Sequence, residues 1–275
     1  MTSEYPFRIT LRDGRVRDAT LIEGPGGWGE CSPLPGFHCD PAAARAAAEE
    51  AAAGDWPAAV RTAIAVNALV GGDRFDAAAL RGFSTVKVKV GDAGEVDRVA
   101  RVRDALGPHA RIRIDANGAW DEDTAVDRIG ALARYDLEFV EEPVHGLDAL
   151  ARVRAQVAAP IAVDESVRSV EDARAAAAAA DIIVVKVQPC GGVRAALRWV
   201  DAFGGPAVVT SMMETSVGLR AGVALAAALP ELPYACGLGT ANELMADVTS
   251  DPLVPIDGVV AVRPVVPDLI ERSRQ

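Results

Sequence analysis

Lysine is scarce in this chain. Of its 28 basic residues only Lys87, Lys89 and Lys186 are lysine, and all the others are arginine. Arginine stays protonated at any working pH, whereas burial or a nearby cation can neutralise a lysine, so arginine cannot replace a lysine that acts as a base. The three lysines lie in apolar runs, at 86–90 and 182–187, which are poor places for an idle charge. Codon bias and chance would account for one such lysine, but three on predicted strand ends favour catalysis.

Other absences argue against whole classes of protein. The net charge of −11 and the lack of a basic run argue against nucleic acid and anionic membrane as partners. No apolar stretch reaches about 18 residues without a charge or a proline, and the first residues do not resemble a signal peptide, so we expect a cytoplasmic protein. Cys31, Cys39, Cys190 and Cys236 show no C-x-x-C spacing, which predicts neither a zinc site nor a disulfide framework.

The pattern after about residue 60 predicts a parallel α/β fold. Short β-branched runs alternate there with stretches rich in Ala, Arg and Glu. No G-x-G-x-x-G or Walker-type loop is present, so a modified (β/α)8 barrel explains eight near-equal units better than a nucleotide-binding sheet does. The predicted strands lie near residues 64–70, 85–90, 111–115, 139–142, 161–164, 182–186, 207–211 and 234–238. The predicted helices lie near residues 93–106, 121–135, 147–157, 170–179, 193–203 and 216–228.

The first 60 residues have a different pattern. We predict two antiparallel strands at 7–11 and 15–22, a loop over 24–29 and a helix over 41–53. The proline- and valine-rich end of the chain is predicted to return to this region, giving a small α+β capping domain built from both termini. The predicted boundaries are 1–60 for the cap, 61–250 for the barrel and 251–275 for the returning segment.

Charged residues close the predicted barrel strands at regular intervals. From Lys89 onward they are separated by 22 to 26 residues, which is one strand plus one helix. Such residues come together at one end of a barrel, where barrel enzymes carry their active sites. The residues are Lys87, Lys89, Asp115, Glu141, Asp164 and Lys186.

Three of these residues are predicted metal ligands. The carboxylates of Asp115, Glu141 and Asp164 would repel one another in a barrel mouth unless a cation offsets their charge. A hard cation with oxygen ligands fits, and Mg²⁺ leaves positions open for a substrate carboxylate. The alternative is that each acid caps a helix or pairs with a base, which is acceptable for one of them but poor for three in register.

The lysines are predicted to flank the substrate. Lys89 precedes the acidic strands and Lys186 follows them, so both would face the α-carbon of a bound carboxylate. A second ammonium at Lys87 would favour the neutral form of Lys89, which can accept a proton. None of the three histidines lies on a predicted barrel strand, so a histidine base is not expected there, and we interpret His38 as an exposed loop residue.

Five short motifs resemble, in order and spacing, those of the enolase superfamily, in particular of its muconate-lactonising branch. They are Lys87-Val-Lys89, Asp115-Ala-Asn117, Glu141-Glu-Pro143, Asp164-Glu-Ser166 and Lys186-Val-Gln188. The resemblance implies that Lys89 is the base and Lys186 the opposite lysine, and that Mg²⁺ is held by Asp115, Glu141 and Asp164.

The branch includes dehydration to o-succinylbenzoate, racemisation of N-succinylamino acids, epimerisation of dipeptides and cycloisomerisation of muconate. Residues 26–37 and 210–218, together with the short chain, resemble the members that dehydrate. Residues 236–240 lack the Asp-x-Asp typical of dipeptide epimerases, which counts against that activity.

The resemblance therefore implies a Mg²⁺-dependent lyase of menaquinone biosynthesis. It would remove water by syn β-elimination from 2-succinyl-6-hydroxy-2,4-cyclohexadiene-1-carboxylate, through an enediolate, with Lys89 as base and then acid. Racemisation of N-succinylamino acids by the same lysines is the alternative, and a non-catalytic small-molecule-binding barrel is a third reading. No interface patch is evident, so the oligomeric state stays open and a monomer fits the sequence. The predicted substrate contacts are Arg113, Asn117, Ser211, Met212 and Glu214.

Overall fold

The structure is a computed structural model that describes residues 2–72 and 75–270. Its strands are β1 (Ser3–Thr10), β2 (Val16–Gly24), β3 (Gly27–Cys31), β4 (Ala63–Ala65), β5 (Ala68–Val70), β6 (Thr85–Lys89), β7 (Arg111–Asp115), β8 (Leu137–Glu141), β9 (Ile161–Val163), β10 (Ile182–Lys186), β11 (Ala207–Thr210) and β12 (Val259–Ala261). Its α-helices are α1 (Pro41–Ala53), α2 (Glu95–Leu106), α3 (Glu122–Leu132), α4 (Leu147–Arg154), α5 (Val170–Ala176), α6 (Val187–Cys190), α7 (Val193–Phe203) and α8 (Ser216–Ala228).

Seven strands form one sheet in the order β11-β10-β9-β8-β7-β6-β5, and neighbours from β5 to β10 run parallel. Most of these strands are joined by helices, as parallel strands require. The fold class is the predicted modified (β/α)8 barrel with a small α+β cap. The predicted eighth strand at 234–238 is reduced to a single parallel bridge between Thr210 and Gly237.

Two sequence-based boundaries were wrong. The strand predicted at 64–70 is divided into β4 and β5, because β4 pairs antiparallel with β12 near the end of the chain while β5 joins β6. The loop predicted at 24–29 is instead a tight turn followed by β3. Gly24 already pairs with Gly27, so only two residues form the turn and the glycine-rich segment continues as a strand beside β2.

The helix predicted at 41–53 is confirmed as α1. Asp40 caps its first turn by accepting the Ala42 N–H at 2.8 Å, and Gly54 ends it in the left-handed conformation. The helix lies so close to β3 that a Cβ at Gly29 would be 1.9 Å from the Ala48 carbonyl oxygen. Glycine is therefore required at this position of the Gly-Trp-Gly-Glu segment.

The chain divides into two compact units. One comprises Met1–Ala65, Val185–Trp199 and Val209–Gln275, and the other Val66–Val184 with Val200–Val208. The domain boundaries expected from the sequence stay a prediction. Within the residues that the structure describes, no helix has the length and apolarity needed to cross a bilayer.

Candidate active site

The charged residues on β6, β7 and β8 are aligned by strand register. Lys89 lies beside Asp115, and Asp115 lies beside Glu141. Successive residues of a strand point to opposite faces, so the charged side chains share one face while Val86, Val88, Ile112 and Ile114 fill the other. The regular spacing in the sequence thus corresponds to one level across three neighbouring strands.

The two lysines bind the carboxylates directly. The Lys87 ammonium donates to Asp115 Oδ2 at 2.9 Å and to Glu141 Oε1 at 3.0 Å, so it bridges two strands. The Lys89 ammonium donates to the same Asp115 oxygen and to Asn117 Oδ1, each at 2.6 Å. Asp115 and Glu141 are both buried, and each has a lysine ammonium within hydrogen-bonding distance.

Burial and neighbouring charge set the protonation of this cluster. Burial alone would raise the pKa of Asp115, but Lys87 and Lys89 outweigh it and hold that pKa below its usual value. Burial and the nearby Asp115 charge raise the pKa of Glu141 to about 7. Burial would lower the pKa of Lys87, but the charges of Asp115 and Glu141 reverse this and hold it above its usual value.

The loops that follow β7 and β9 support the cluster. Asn117 has a φ of +47° and bonds both Lys89 and Glu165, the latter at 3.1 Å. Asp164 directly follows β9, and its backbone N–H donates to Glu142 Oε2 at 2.8 Å. The Ser166 hydroxyl donates to the other oxygen of Glu142. Glu142 therefore fixes the turn that carries Asp164, and burial raises the pKa of Glu142 to about 8.

Arg113 is one of the predicted substrate contacts but is fully buried. Its Nε donates to Glu138 Oε2 at 3.0 Å, and its guanidinium carbon lies 4.4 Å from the centre of the Phe139 ring. These contacts make Arg113 a support inside the sheet. Its contact with substrate stays a prediction that the burial does not favour.

The oxygen donors of this cluster fit a hard cation. Asp115 and Glu141 already converge on one positive charge, the Lys87 ammonium, and the Asp164 charge acts on both Lys87 and Glu141. In the described part of the chain, no three His, Cys, Asp or Glu side chains form a ready-made metal cluster. The register of β8 and β9 explains why Asp164 is not level with the other two carboxylates. Glu141 pairs with Ala162, and Asp164 lies two residues further along. We conclude that the donor chemistry fits a divalent cation.

Lys186 ends β10 and is 7% exposed. Its Nζ lies 4.8 Å from the centre of the Phe37 ring. Phe37 belongs to the segment of residues 32–38, which we call the cap loop. Most of this segment lies within residues 26–37, which carry part of the resemblance, and the structure shows that one of its side chains contacts the second lysine.

The other predicted substrate contacts lie in the segment after β11. Met212 and Glu214 are buried, and Glu214 Oε2 accepts the Met212 N–H at 2.7 Å. The Ser211 hydroxyl is 2.7 Å from the Thr240 hydroxyl. The Met212 carbonyl accepts a hydrogen bond from Arg17 at 2.7 Å. Contact of these three residues with a substrate stays a prediction.

Sequence reasoning missed the supporting residues. Glu142 and Ser166 lie inside the motifs quoted above, and so does Gln188, but a motif alone does not state which neighbour holds which. Glu30 ends the Gly-Trp-Gly-Glu segment, and it is buried. A carboxylate placed in an otherwise apolar strand was the available signal for Glu30.

Comparison with known families agrees with this arrangement. Residues 3–52 match the family model described as enolase N-terminal domain-like, and residues 73–267 match that described as enolase C-terminal domain-like. The chain is 53% identical to the o-succinylbenzoate synthase of Thermobifida fusca (strain YX), over 94% of this chain and 85% of the relative. It is 43% identical to the o-succinylbenzoate synthase of Mycolicibacterium smegmatis, over 96% of this chain and 85% of the relative.

The chain belongs to the o-succinylbenzoate synthase family of the enolase superfamily. Enzymes of this family are lyases that use a divalent metal ion. The o-succinylbenzoate synthase fold is shared with more distant enzymes. A dipeptide epimerase from Enterococcus faecalis has a TM-score of 0.82 at 23% identity, covering 97% of both chains. Muconate lactonizing enzyme from Pseudomonas putida has a TM-score of 0.82 at 21% identity, covering 97% of this chain and 95% of that one. These two likenesses support the fold alone.

Proposed function

We propose that this chain dehydrates 2-succinyl-6-hydroxy-2,4-cyclohexadiene-1-carboxylate to o-succinylbenzoate, a step of menaquinone biosynthesis. One observation carries the proposal. In a chain of this family, Lys89 donates to the buried Asp115, and Lys87 joins Asp115 to the buried Glu141, across three neighbouring strands. A lysine and a cation-binding carboxylate pair at strand ends are the groups that proton abstraction beside a carboxylate needs.

Lys89 is the proposed base and acid. It removes the proton α to the substrate carboxylate, and the electron pair of that C–H bond moves into the carboxylate to give an enediolate. That electron pair then forms the new ring double bond as the C–O bond breaks. The leaving hydroxide takes the proton from Lys89 and departs as water. Asn117 orients Lys89, since it accepts one of the ammonium hydrogen bonds at 2.6 Å. We assign to Lys186 the role of the second lysine, whose fixed ammonium stabilises developing negative charge.

The proposed cofactor is Mg²⁺, with Asp115, Glu141 and Asp164 as ligands. The support is the all-oxygen donor set and the Lys87 ammonium that Asp115 and Glu141 already share. Such a cation, when bound, would supply positive charge that holds the substrate carboxylate and offsets the negative charge that develops as the proton leaves. The Lys87 ammonium offsets the repulsion between the buried carboxylates of Asp115 and Glu141, because it donates a hydrogen bond to each.

The remaining proposals concern the setting of the enzyme. We propose a small-molecule carboxylate as its substrate and the cytoplasm as its location. The four cysteines, Cys31, Cys39, Cys190 and Cys236, form no disulfide with one another, which fits a reducing compartment.

A paired assay of the purified chain with Mg²⁺ tests the function. One arm follows dehydration of the cyclohexadiene by ultraviolet absorbance, and the other follows α-deuterium exchange in N-succinylamino acids. We expect fast dehydration and slow exchange. Fast exchange with slow dehydration would instead identify a racemase that uses the same lysines. Neither activity in a chain that binds Mg²⁺ would mean that the substrate is wrong.

A further inference from the structure

We infer that the cap loop positions the Lys186 ammonium, through the Phe37 ring at one end and through the Ser32–Gln188 pair at the other. The inference rests on the proposed function, because it assigns Phe37, Ser32 and Gln188 as positioning residues for the second lysine. The cap loop would then act on the chemical step as well as on substrate access.

The first contact is between the Phe37 ring and the Lys186 ammonium. The distance of 4.8 Å from Nζ to the ring centre is within the range of a cation–π interaction. A local turn holds the backbone that carries the ring, since the Phe37 N–H donates to the Leu34 carbonyl at 3.0 Å and Leu34 is itself buried. Gly36 within this turn has a φ of +82°, which glycine adopts most easily.

The second contact is a reciprocal pair of hydrogen bonds. The Ser32 backbone N–H donates to Gln188 Oε1 at 2.9 Å, and Gln188 Nε2 donates to Ser32 Oγ at 3.1 Å. A backbone N–H is always a donor, so it decides which end of the Gln188 amide is the oxygen. Both residues are buried, where a lost hydrogen bond leaves unsatisfied polar atoms.

Two carboxylates hold this pair in place. Ser32 Oγ donates to Glu30 Oε1 at 2.6 Å, and Gln188 Nε2 also donates to Glu214 Oε1 at 3.3 Å. The amide group of Gln188 is therefore held by Ser32 and Glu214 together. This network connects β3, the start of the cap loop and the segment after β11.

The network matters for Lys186 because of where Gln188 lies. Lys186 ends β10 and immediately precedes α6, which has only four residues. So short a helix has little stability of its own, and side-chain contacts must hold it. Gln188 anchors the backbone two residues from Lys186, while Phe37 contacts the far end of the lysine side chain. Displacement of either anchor should misplace the ammonium and lower kcat.

The sharpest test replaces Phe37 by phenylalanines with increasing numbers of ring fluorines. Fluorine weakens the negative face of the ring and changes its size little. We expect kcat for dehydration to fall stepwise along the series by about 5- to 30-fold in total, with KM within about twofold. A structural role alone would not produce this trend. A flat kcat series would overturn the role of the ring, and so would a rise in KM at constant kcat, which would mean that Phe37 binds substrate.

The second anchor is tested with Gln188→Leu and Ser32→Ala. We expect kcat to fall about tenfold or more in Gln188→Leu, and less in Ser32→Ala, which keeps the backbone N–H. Gln156→Leu is the matched control, since Gln156 is an exposed glutamine on another segment. If Gln188→Leu fails to fold, the kcat of Ser32→Ala decides whether this anchor positions Lys186. Unchanged kcat in a folded variant would overturn this anchor.

The same experiments separate this inference from the proposed function. Wild-type chain that lacks dehydration but exchanges α-protons of N-succinylamino acids would overturn the function, and the fluorine series would then be measured on exchange. Wild-type chain that dehydrates, combined with a flat series, would overturn only the inference about Phe37. Neither activity in the wild type would overturn both.

Discussion

Two pairs of buried carboxylates accept hydrogen bonds from different kinds of donor. Asp115 and Glu141, on β7 and β8, receive hydrogen bonds from the Lys87 ammonium. Glu30 and Glu214 belong to the other compact unit, and they accept hydrogen bonds from neutral groups. Glu30 accepts hydrogen bonds from the Ser32 hydroxyl, from the Thr215 N–H and hydroxyl and from the Gly218 N–H. Glu214 accepts from the Met212 N–H and the Gln188 amide.

The difference indicates which pair can serve a reaction. Backbone N–H groups and hydroxyls stay where the fold puts them, so Glu30 and Glu214 are held as structural elements. An ammonium on a long side chain is a replaceable partner, and a second cation can take over the same oxygens. We therefore propose that the lysine-bound pair is the reactive one and that the amide-bound pair is structural.

The largest expected effect is at Lys89. Lys89→Arg keeps the positive charge beside Asp115 but removes the group that can become neutral, because arginine stays protonated. We expect dehydration to fall by about 10²- to 10⁴-fold, the range of general acid–base catalysis. The measurement is kcat by ultraviolet absorbance.

Two controls belong with the Lys89→Arg variant. Its unfolding midpoint should stay near that of the wild type, and it should still bind Mg²⁺ in calorimetry. A folded variant that retains wild-type turnover would eliminate Lys89 as the base and leave the lysine scarcity without a catalytic explanation.

The next effect compares the two carboxylate pairs directly. Glu141→Gln should weaken Mg²⁺ binding by more than about tenfold, because loss of even an outer-shell partner typically costs 10- to 100-fold. Glu214→Gln makes the same chemical change in the amide-bound pair and should leave Mg²⁺ affinity within about twofold. Calorimetric titration of both variants checks this. Equal losses would mean that the distinction between the pairs is wrong.

Asp164→Asn is the third variant whose Mg²⁺ binding is measured by titration. The Asp164 charge raises the pKa of both Lys87 and Glu141, although the side chain lies two residues beyond the level of Glu141. We expect weaker Mg²⁺ binding, by about tenfold or more. An unchanged titration would remove Asp164 from the proposed ligand set.

The sequence predicted the placement of the lysine-bound pair better than that of the amide-bound pair. Lys89, Asp115 and Glu141 follow from strand spacing and from the two-residue alternation of strands, which are local regularities. The Gln188–Ser32 contact joins residues 156 positions apart, and no periodicity encodes which polar groups meet at that distance. Arg113 shows the same limit, since two-residue alternation places it on the face of Asp115 but does not predict its partner Glu138.

The fold, like the site, was predicted from the sequence only where a regular pattern was present. The repeating strand–helix pattern predicted the barrel, but glycine content misled the prediction at 24–29. Glycine is typical of loops, yet β3 needs Gly29 because α1 lies against it. Gly29→Ala should therefore lower the free energy of unfolding by about 1–3 kcal/mol, as overpacking does. Urea denaturation measures it, with Gly130→Ala as control, because a Cβ at Gly130 meets nothing within 4 Å. A stable Gly29→Ala variant would mean that the close approach of the helix is not required.

The smallest effect concerns the pH dependence of stability. Burial raises the pKa of Glu30 to about 7, against an ordinary value of 4.5, even though the hydrogen bonds from Ser32 and Thr215 act to lower it. A carboxyl group whose pKa is raised in the folded state binds its proton more tightly there than in the unfolded chain. Its contribution to stability is therefore fully present below about pH 4.5 and is lost as the pH rises through 7.

Glu30→Gln isolates that contribution, because glutamine does not titrate. The variant should be less stable overall, since an amide nitrogen cannot accept from the Gly218 or Thr215 N–H. The pH slope of its unfolding free energy between pH 5 and 7 should nevertheless be shallower than in the wild type, by at most about 1.4 kcal/mol per pH unit for one proton. Urea denaturation at several pH values measures the slope, with exposed Glu49→Gln as control. An unchanged slope in Glu30→Gln would mean that its neutral donors keep Glu30 ionised throughout, which would make the contrast with the lysine-bound pair sharper still.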